Sequence, residues 1–200
     1  RLAFRNGVAG MVDAKQSPAE AEETRGQGVI CFGEIVWDSL PSGLSLGGAP
    51  LNVAYHLRKR NRIPYLISAL GDDPLGKKAI ARLEEMGIAT TLIETLRSAP
   101  TGEVIVRLAG TEPHYEIVSP AAWDRISAPS EQLPKLPAIG CLVHGSLSQR
   151  SDHNRATLDD LINHYSETFR VFDINLRAPY GDRRRIHELA KDCDIVKVNR

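Results

Sequence analysis

The chain has 200 residues, which is enough for one domain with a sizeable buried core. Lys plus Arg number 25 and Asp plus Glu number 25, so the formal net charge is zero. This balance argues against general nucleic-acid binding, which needs a basic field, and the apolar runs are too short to span a membrane. Cys31, Cys141 and Cys193 have no paired spacing, which favours reduced thiols and a cytoplasmic location.

The two ends of the chain differ from its middle. Residues 13–28 are polar and poor in aromatic side chains, so we expect a disordered leader over 1–28. A buried strand predicted at 194–199 is followed at once by Arg200, with no turn. Because a domain seldom ends on a fresh strand edge, this pattern favours a fragment whose domain begins at residue 29 and continues past Arg200.

Strands and helices alternate along most of the chain. The patterns predict strands at 29–35, 65–70, 91–94, 139–144, 170–175 and 194–199, and helices at 50–60, 74–86, 151–169 and 182–191. Such alternation is typical of an α/β fold in which helices cover a parallel sheet. Ligands of these sheets bind beyond the carboxyl ends of the strands.

The middle of the chain departs from this alternation. Two strand-like segments, 103–108 and 114–118, are joined by a turn that contains Gly110 and Pro113. Because no helix separates them, they need not belong to the parallel sheet. We expect a small lid or side sheet here.

A glycine pair before a predicted helix is the strongest chemical signal. In Gly47-Gly48-Ala-Pro-Leu-Asn52 the glycines allow a ligand to approach the backbone closely, and Asn52 falls in the first helical turn. The Asn52 amide offers donors and an acceptor, which suits a polyol. The alternative interpretation is that the glycines form only a tight turn and a helix cap, with no role in ligand binding.

Asp38 follows the first predicted strand closely, where a parallel sheet presents its ligand site. One carboxylate can accept hydrogen bonds from two neighbouring hydroxyls. A solvated loop aspartate is the alternative interpretation.

Further stretches occur in an order that resembles a known family. They are Ala-Leu-Gly-Asp-Asp-Pro-Leu-Gly at 69–76, Thr-Gly-Glu-Val-Ile-Val at 101–106, Phe-Asp-Ile-Asn-Leu-Arg at 172–177 and Lys-Val-Asn at 197–199. With Asp38, Gly47-Gly48 and Asn52, they resemble the ribokinase-like carbohydrate kinases of the phosphofructokinase B family, in particular the fructokinase-like branch.

The resemblance implies a fold and an activity. The fold is a ribokinase-like, three-layer α/β/α sheet with a small β lid, whose strands fall in about 36–47 and 90–119. The activity is ATP-dependent phosphorylation of a sugar hydroxyl with Mg²⁺, with fructose the leading acceptor. The resemblance also implies that two copies of the protein contact each other through the lid in a homodimer. This chain would be the N-terminal, sugar-binding portion of such a kinase.

The resemblance also assigns roles to single residues. The residues implied to bind the sugar or shape its loop are Asp38, Gly47, Gly48, Asn52 and Arg177. Asn175 and Asn199 are implied to lie near the phosphates and Mg²⁺. No metal-binding set is predicted, because the six histidines lack a suitable spacing.

One family element is missing from the sequence. No Gly-Ala-Gly-Asp stretch occurs, so the aspartate general base is expected beyond Arg200 and the fragment alone is expected to be inactive. Two other functions stay open. The chain could belong to a 2-keto-3-deoxygluconate kinase, in which Arg177 would pair with the carboxylate of the sugar. It could also be a non-catalytic sugar-binding module, which would need no general base.

Trp123 could line the sugar pocket or anchor the core.

Overall fold

The computed structural model describes residues 28–40, 42–109, 112–177 and 179–198. The strands are β1 (Gly28–Phe32), β2 (Val36–Leu40), β3 (Gly43–Gly47), β4 (Ile63–Gly71), β5 (Ile93–Leu96), β6 (Gly102–Ala109), β7 (Glu112–Ile117), β8 (Ile139–Gly145), β9 (Phe169–Ile174) and β10 (Ile195–Val198). The α-helices are α1 (Ala49–Lys59), α2 (Pro74–Glu85), α3 (Asp152–His164) and α4 (Arg183–Lys191). Short 3-10 helices cover Ala122–Arg125, Leu133–Lys135 and Leu147–Arg150. The leader expected over 1–28, except Gly28, lies outside the described residues.

Six strands form one sheet in the order β10-β9-β8-β1-β4-β5, and every pairing in it is parallel. The predicted parallel sheet is therefore confirmed. From β1 the chain winds through β4 to β5, and later returns to the other side of β1 through β8, β9 and β10. The winding direction changes beside β1, which is where sheets of this kind form their ligand clefts.

Helices cover both faces of this sheet, because its strands are apolar on both sides. One buried cluster joins Cys31 and Leu66 to Leu51 of α1 and Leu83 of α2. The other faces the opposite way and is formed by side chains of β1, β4, β8, β9, α3, α4 and the 3-10 helices, with Val36 of β2 and Val104 of β6. The three-layer α/β/α arrangement implied by the resemblance is confirmed.

The other four strands form a separate sheet in the order β3-β2-β6-β7. Strands β2 and β6 are parallel, while β2 with β3 and β6 with β7 form antiparallel pairs. The predicted hairpin at 103–118 is present. Within 90–119, however, residues 93–96 pair with β4 in the large sheet, so only the later part belongs to the small one.

Three sequence predictions are wrong at element boundaries. The strand predicted at 91–94 lies two residues later, at Ile93–Leu96. The strand predicted at 29–35 ends at Phe32, because Gly33 has a φ of 144° and turns the chain toward the small sheet. The helix predicted at 151–169 ends at His164, and Phe169 already begins β9. The predicted start and end of α2 are correct, with Asp73 as N-cap, Pro74 in the first turn and Gly87 at a φ of 70°.

Across the described residues, no helix is both long and apolar enough to cross a lipid bilayer. All three cysteines are free thiols, with Cys31 buried and the other two partly buried.

Candidate functional site

A cleft of about 710 Å³ opens between the two sheets. Its walls are the facing side of the small sheet, helix α1, and the carboxyl ends of β1, β8 and β9. The volume is within the range of small-molecule sites. The change in winding direction beside β1 therefore coincides with a cavity of suitable size for a monosaccharide.

The structure brings most of the predicted site residues together in this cleft. Those that line it are Asp38, Gly48, Asn52, Asn175 and Arg177. Gly47 lies beside it, and a Cβ added there would stand 3.0 Å from Oδ2 of Asp38. Asn199 lies outside the described residues. Three separate segments of the sequence thus converge on one cavity.

Gly48 shows why the glycine pair begins a helix. Its φ of 122° is strained for any L side chain, and an added Cβ would collide with the carbonyl oxygen of Glu34. The Gly48 carbonyl accepts a 2.9 Å hydrogen bond from the Asn52 amide, so it caps α1 while Asn52 stays exposed at the cleft. The tight turn and cap are present, and they place Asn52 at the cavity wall.

Asp38 lies in strand β2 rather than in a loop. It pairs with Ser45 of β3 and Val104 of β6, and it is partly buried. The interpretation as a solvated loop aspartate is therefore wrong. Partial burial raises the pKa of Asp38, and the nearby positive charge of Arg177 opposes that rise. The opposing charges lie on different walls of the same cleft.

A second charged pair lies at the carboxyl end of β9. The Lys197 ammonium is 2.9 Å from each oxygen of the Asp173 carboxylate, which is only 7% exposed. Both residues belong to motifs of the resemblance, which implied no role for either of them. Two residues farther on, the Asn175 amide donates to the Ser146 hydroxyl over 2.9 Å, which fixes the start of the loop that carries Arg177.

Glu34 is the cleft residue that sequence reasoning missed. It is 2% exposed, and its Oε1 accepts a 3.2 Å hydrogen bond from the amide of Ala49 at the start of α1. Burial raises its pKa to about 7, with a further small rise from Asp173. The available signal was its place in Gly33-Glu34, directly after a buried strand at the ligand edge of the sheet.

Trp123 belongs to the core and does not line the cleft. Its side chain is fully buried, and the guanidinium carbon of Arg150 lies 3.8 Å from its ring centroid. Of the two interpretations left open for this residue, the core anchor is correct.

The 69–76 motif meets the start of the 101–106 motif, at Thr101, in one turn outside the cleft. Asp73 accepts hydrogen bonds from the amides of Gly76 and Thr101, each 2.7 Å long, and from the Thr101 hydroxyl at 2.8 Å. Burial alone would raise the pKa of Asp73, but these hydrogen bonds lower it below its ordinary value. The residues attach the small sheet to the large one, so their role is structural.

The sequence of the chain matches the family model for pfkB family carbohydrate kinases over residues 42–200. The chain belongs to the pfkB family. The match begins just before β3 and covers every later element that builds the cleft.

Individual relatives agree with this membership. Fructokinase-2 of Solanum lycopersicum is 26% identical over 192 residues, which cover 86% of this chain and 58% of that protein. A fructokinase structure from Xylella fastidiosa superposes with a TM-score of 0.75 at 21% identity, covering 85% of this chain and 58% of the other. The chain thus has the fold of solved pfkB-family kinases.

A third comparison involves a structure with nucleotide bound. An uncharacterized sugar kinase from Pyrococcus horikoshii, solved in complex with ATP, superposes with a TM-score of 0.71 at 24% identity. The match covers 84% of this chain and 62% of that one. This pfkB chain therefore spans little more than half the length of the relatives that it matches.

Proposed function

We propose that this pfkB-family chain binds a monosaccharide, with fructose the leading candidate, and that its protein transfers the γ-phosphoryl group of ATP to a hydroxyl of that sugar. The observation that carries the proposal is the convergence of Asp38, Asn52 and Arg177 on one cleft of about 710 Å³. Family membership and the named fructokinase relatives support the choice of substrate.

The cleft residues suit the positioning of a polyol. The Asp38 carboxylate can accept from two adjacent hydroxyls, and the Asn52 amide can both donate and accept. Gly48 presents no side chain, so a sugar can approach the first turn of α1 closely. Since phosphoryl transfer depends strongly on the orientation of the acceptor, we assign this chain the orienting role.

The small sheet covers one side of the cleft through Val104, Tyr115 and Ile117. In this proposal it acts as a lid that excludes water from the acceptor hydroxyl, so that phosphate is not lost to hydrolysis. A homodimer contact through the same sheet and a cytoplasmic location are part of the proposal. The free cysteines support the location.

Among the described residues, no group of three or more His, Cys, Asp or Glu side chains could hold a metal ion. The sequence also lacks a Gly-Ala-Gly-Asp stretch. ATP and Mg²⁺ would supply the phosphoryl group and neutralise its charge, and only Asn175 and Asn199 are proposed to lie near them.

A specific observation favours a second acceptor. Arg177 is exposed at the cleft, and the only hydrogen bond assigned to its guanidinium among the described residues goes to the adjacent Leu176 carbonyl. Such a group can bind a sugar carboxylate, as 2-keto-3-deoxygluconate would offer. A 2-dehydro-3-deoxygluconokinase from Thermotoga maritima has the same fold, with a TM-score of 0.69 at 17% identity.

The substitution Asp38→Asn tests the proposed sugar site. Removing the charge weakens acceptance from two hydroxyls, so we expect fructose binding by the chain to fall roughly tenfold or more. Titration calorimetry with fructose, ribose and 2-keto-3-deoxygluconate measures the affinity and the preference. The 200-residue chain should show no sugar-dependent ATP turnover.

Asp72→Asn is the matched control, because Asp72 is a partly exposed aspartate that pairs with Arg97 outside the cleft. Its fructose affinity should equal that of the unmodified chain. Equal affinities for the Asp38 and Asp72 variants would refute the assignment of Asp38. Fructose-dependent ATP turnover by this chain would show that it contains the catalytic groups that we place elsewhere.

A further inference from the structure

Glu34 has one carboxylate oxygen that no described residue satisfies. Its Oε1 accepts from the Ala49 amide over 3.2 Å, whereas its Oε2 is buried without a hydrogen-bond partner among the described residues. A buried carboxylate oxygen without a partner is costly, and native structures seldom retain one without a functional reason. Glu34 borders the cleft, although Oε2 itself has almost no accessible surface, so a ligand in the cleft would reach it only after a shift of the Glu34 side chain.

The surroundings of Glu34 show what kind of partner fits. Asp173 on β9 raises the pKa of Glu34, and Arg150, which follows β8, lowers it less. Asp173 is itself paired with Lys197 of β10, and Arg150 is paired with Asp124. Both cations are therefore already engaged by other carboxylates, although Nη1 of Arg150 has no hydrogen-bond partner among the described residues. A neutral hydroxyl donor is a partner that completes the hydrogen bonding of Oε2 without adding charge.

We propose that Oε2 of Glu34 accepts a hydrogen bond from a sugar hydroxyl, which makes Glu34 a substrate-binding residue at the floor of the cleft. The proposal rests on the sugar-binding function proposed above and adds a contact at the carboxyl end of β1. Asp38 and Asn52 hold the sugar from β2 and α1, so this third contact comes from a different element. It would favour a sugar that offers a hydroxyl, rather than a carboxylate, to the floor of the cleft.

The proposed contact makes sugar binding depend on the protonation of Glu34. Because burial raises the pKa of Glu34 to about 7, part of the Glu34 population is protonated at pH 7. A hydroxyl that donates to Oε2 stabilises the ionised form and lowers this pKa, so sugar binding releases protons at pH 7. The affinity for the sugar should accordingly rise as the pH increases from about 6 to 8.

The test uses D-fructose and the 200-residue chain. Titration calorimetry at pH 7 in two buffers of different ionisation enthalpy gives both the affinity and the number of protons released. We expect Glu34→Gln to bind fructose roughly tenfold more weakly and to release no proton, because the new carboxamide does not ionise and is a weaker acceptor than a carboxylate. The control Glu94→Gln alters an exposed glutamate of β5 and should behave as the unmodified chain does.

A measurement on the unmodified chain covers the case in which Glu34→Gln does not fold. Carbon-13 spectra of the glutamate carboxyl groups should show one group that titrates near pH 7 and whose pKa falls when fructose is added. An unchanged titration in saturating fructose overturns the proposal, and so does proton uptake on binding.

The two proposals fail in different ways. If the chain binds fructose through Asp38 but Glu34→Gln changes neither affinity nor proton release, only the role of Glu34 is overturned. If the unmodified chain binds no monosaccharide, the proposed function is overturned and the role of Glu34 with it.

Discussion

Two independent constraints require glycine at position 48. Its φ of 122° lies where L side chains are strained, and the space for a Cβ is occupied by the carbonyl of Glu34. Gly43 has nearly the same φ, 124°, but nothing lies within 4 Å of an added Cβ. A comparison of substitutions at these two positions therefore distinguishes the cost of backbone strain from the cost of close packing.

We expect Gly48→Ala to cost more stability than Gly43→Ala. Backbone strain costs about 1–3 kcal/mol at either position, and only position 48 adds a collision that pushes α1 away from β1. Denaturant unfolding of both variants measures the difference, and fructose titration should show a loss of binding for Gly48→Ala alone. Equal destabilisation of both variants would contradict the close approach to Glu34.

Arg150 connects three elements that the sequence separates. Its guanidinium binds both oxygens of Asp124 over 2.6 and 2.8 Å, and it stacks on Trp123 and on Tyr180, 4.6 Å from the Tyr180 centroid. The amide of Tyr180 in turn donates to the carbonyl of Arg177 over 2.7 Å. The loop that brings Arg177 to the cleft is thus attached to the core through Arg150.

We expect Arg150→Met to destabilise the fold by about 3–5 kcal/mol, because it leaves Asp124 charged and largely buried without its partner. Hydrogen exchange should also accelerate in the 175–182 loop. Arg82→Met is the control, since Arg82 and Glu85 form an exposed pair whose loss costs about 0–1 kcal/mol. Similar unfolding free energies for the two variants would show that Arg150 does not anchor the loop.

The elements that sequence patterns predicted well are those with strong local signals. Asp73, Pro74 and Gly87 mark both ends of α2, and alternation alone predicted the parallel sheet. The end of α3 was missed because Tyr165 and Phe169 continue the apolar spacing of the helix into the next strand. Here the pairing of β9 with β8 prevails over local periodicity.

The site residues also divide into those with a local sequence signal and those whose role depends on the folded chain. Asp38, Gly48, Asn52 and Arg177 belong to recognisable motifs, and the structure places all four at one cleft. For Glu34 the sequence offers only its place directly after a buried strand, whereas its burial and its unsatisfied Oε2 are properties of the folded chain.

At the scale of the whole molecule, one edge of the large sheet is exposed among the described residues. Strand β10 lies at one edge, and its apolar side chains are exposed, with Val198 at 67%. The net charge of zero gives little repulsion between molecules. An exposed apolar edge strand is a template for pairing with another chain.

We expect the 200-residue chain to self-associate in a concentration-dependent way and Val198→Lys to reduce this association. Light scattering over a range of concentrations measures the effect. Thr95→Lys adds the same charge at an exposed position of β5, on the opposite edge, and should leave the association unchanged. A chain that remains monomeric throughout would contradict this role of β10.

The position of β1 at the centre of the large sheet also affects how the chain is made. Ile30 pairs with Tyr65 on one side and with Leu142 on the other. A chain emerging from the ribosome presents its earlier segments first, so β4 reaches β1 long before β8 has been synthesised. Until then the side of β1 that pairs with β8 has no hydrogen-bonding partner. The cleft is assembled in the same order, with Asp38 and Asn52 in place well before Arg177 arrives.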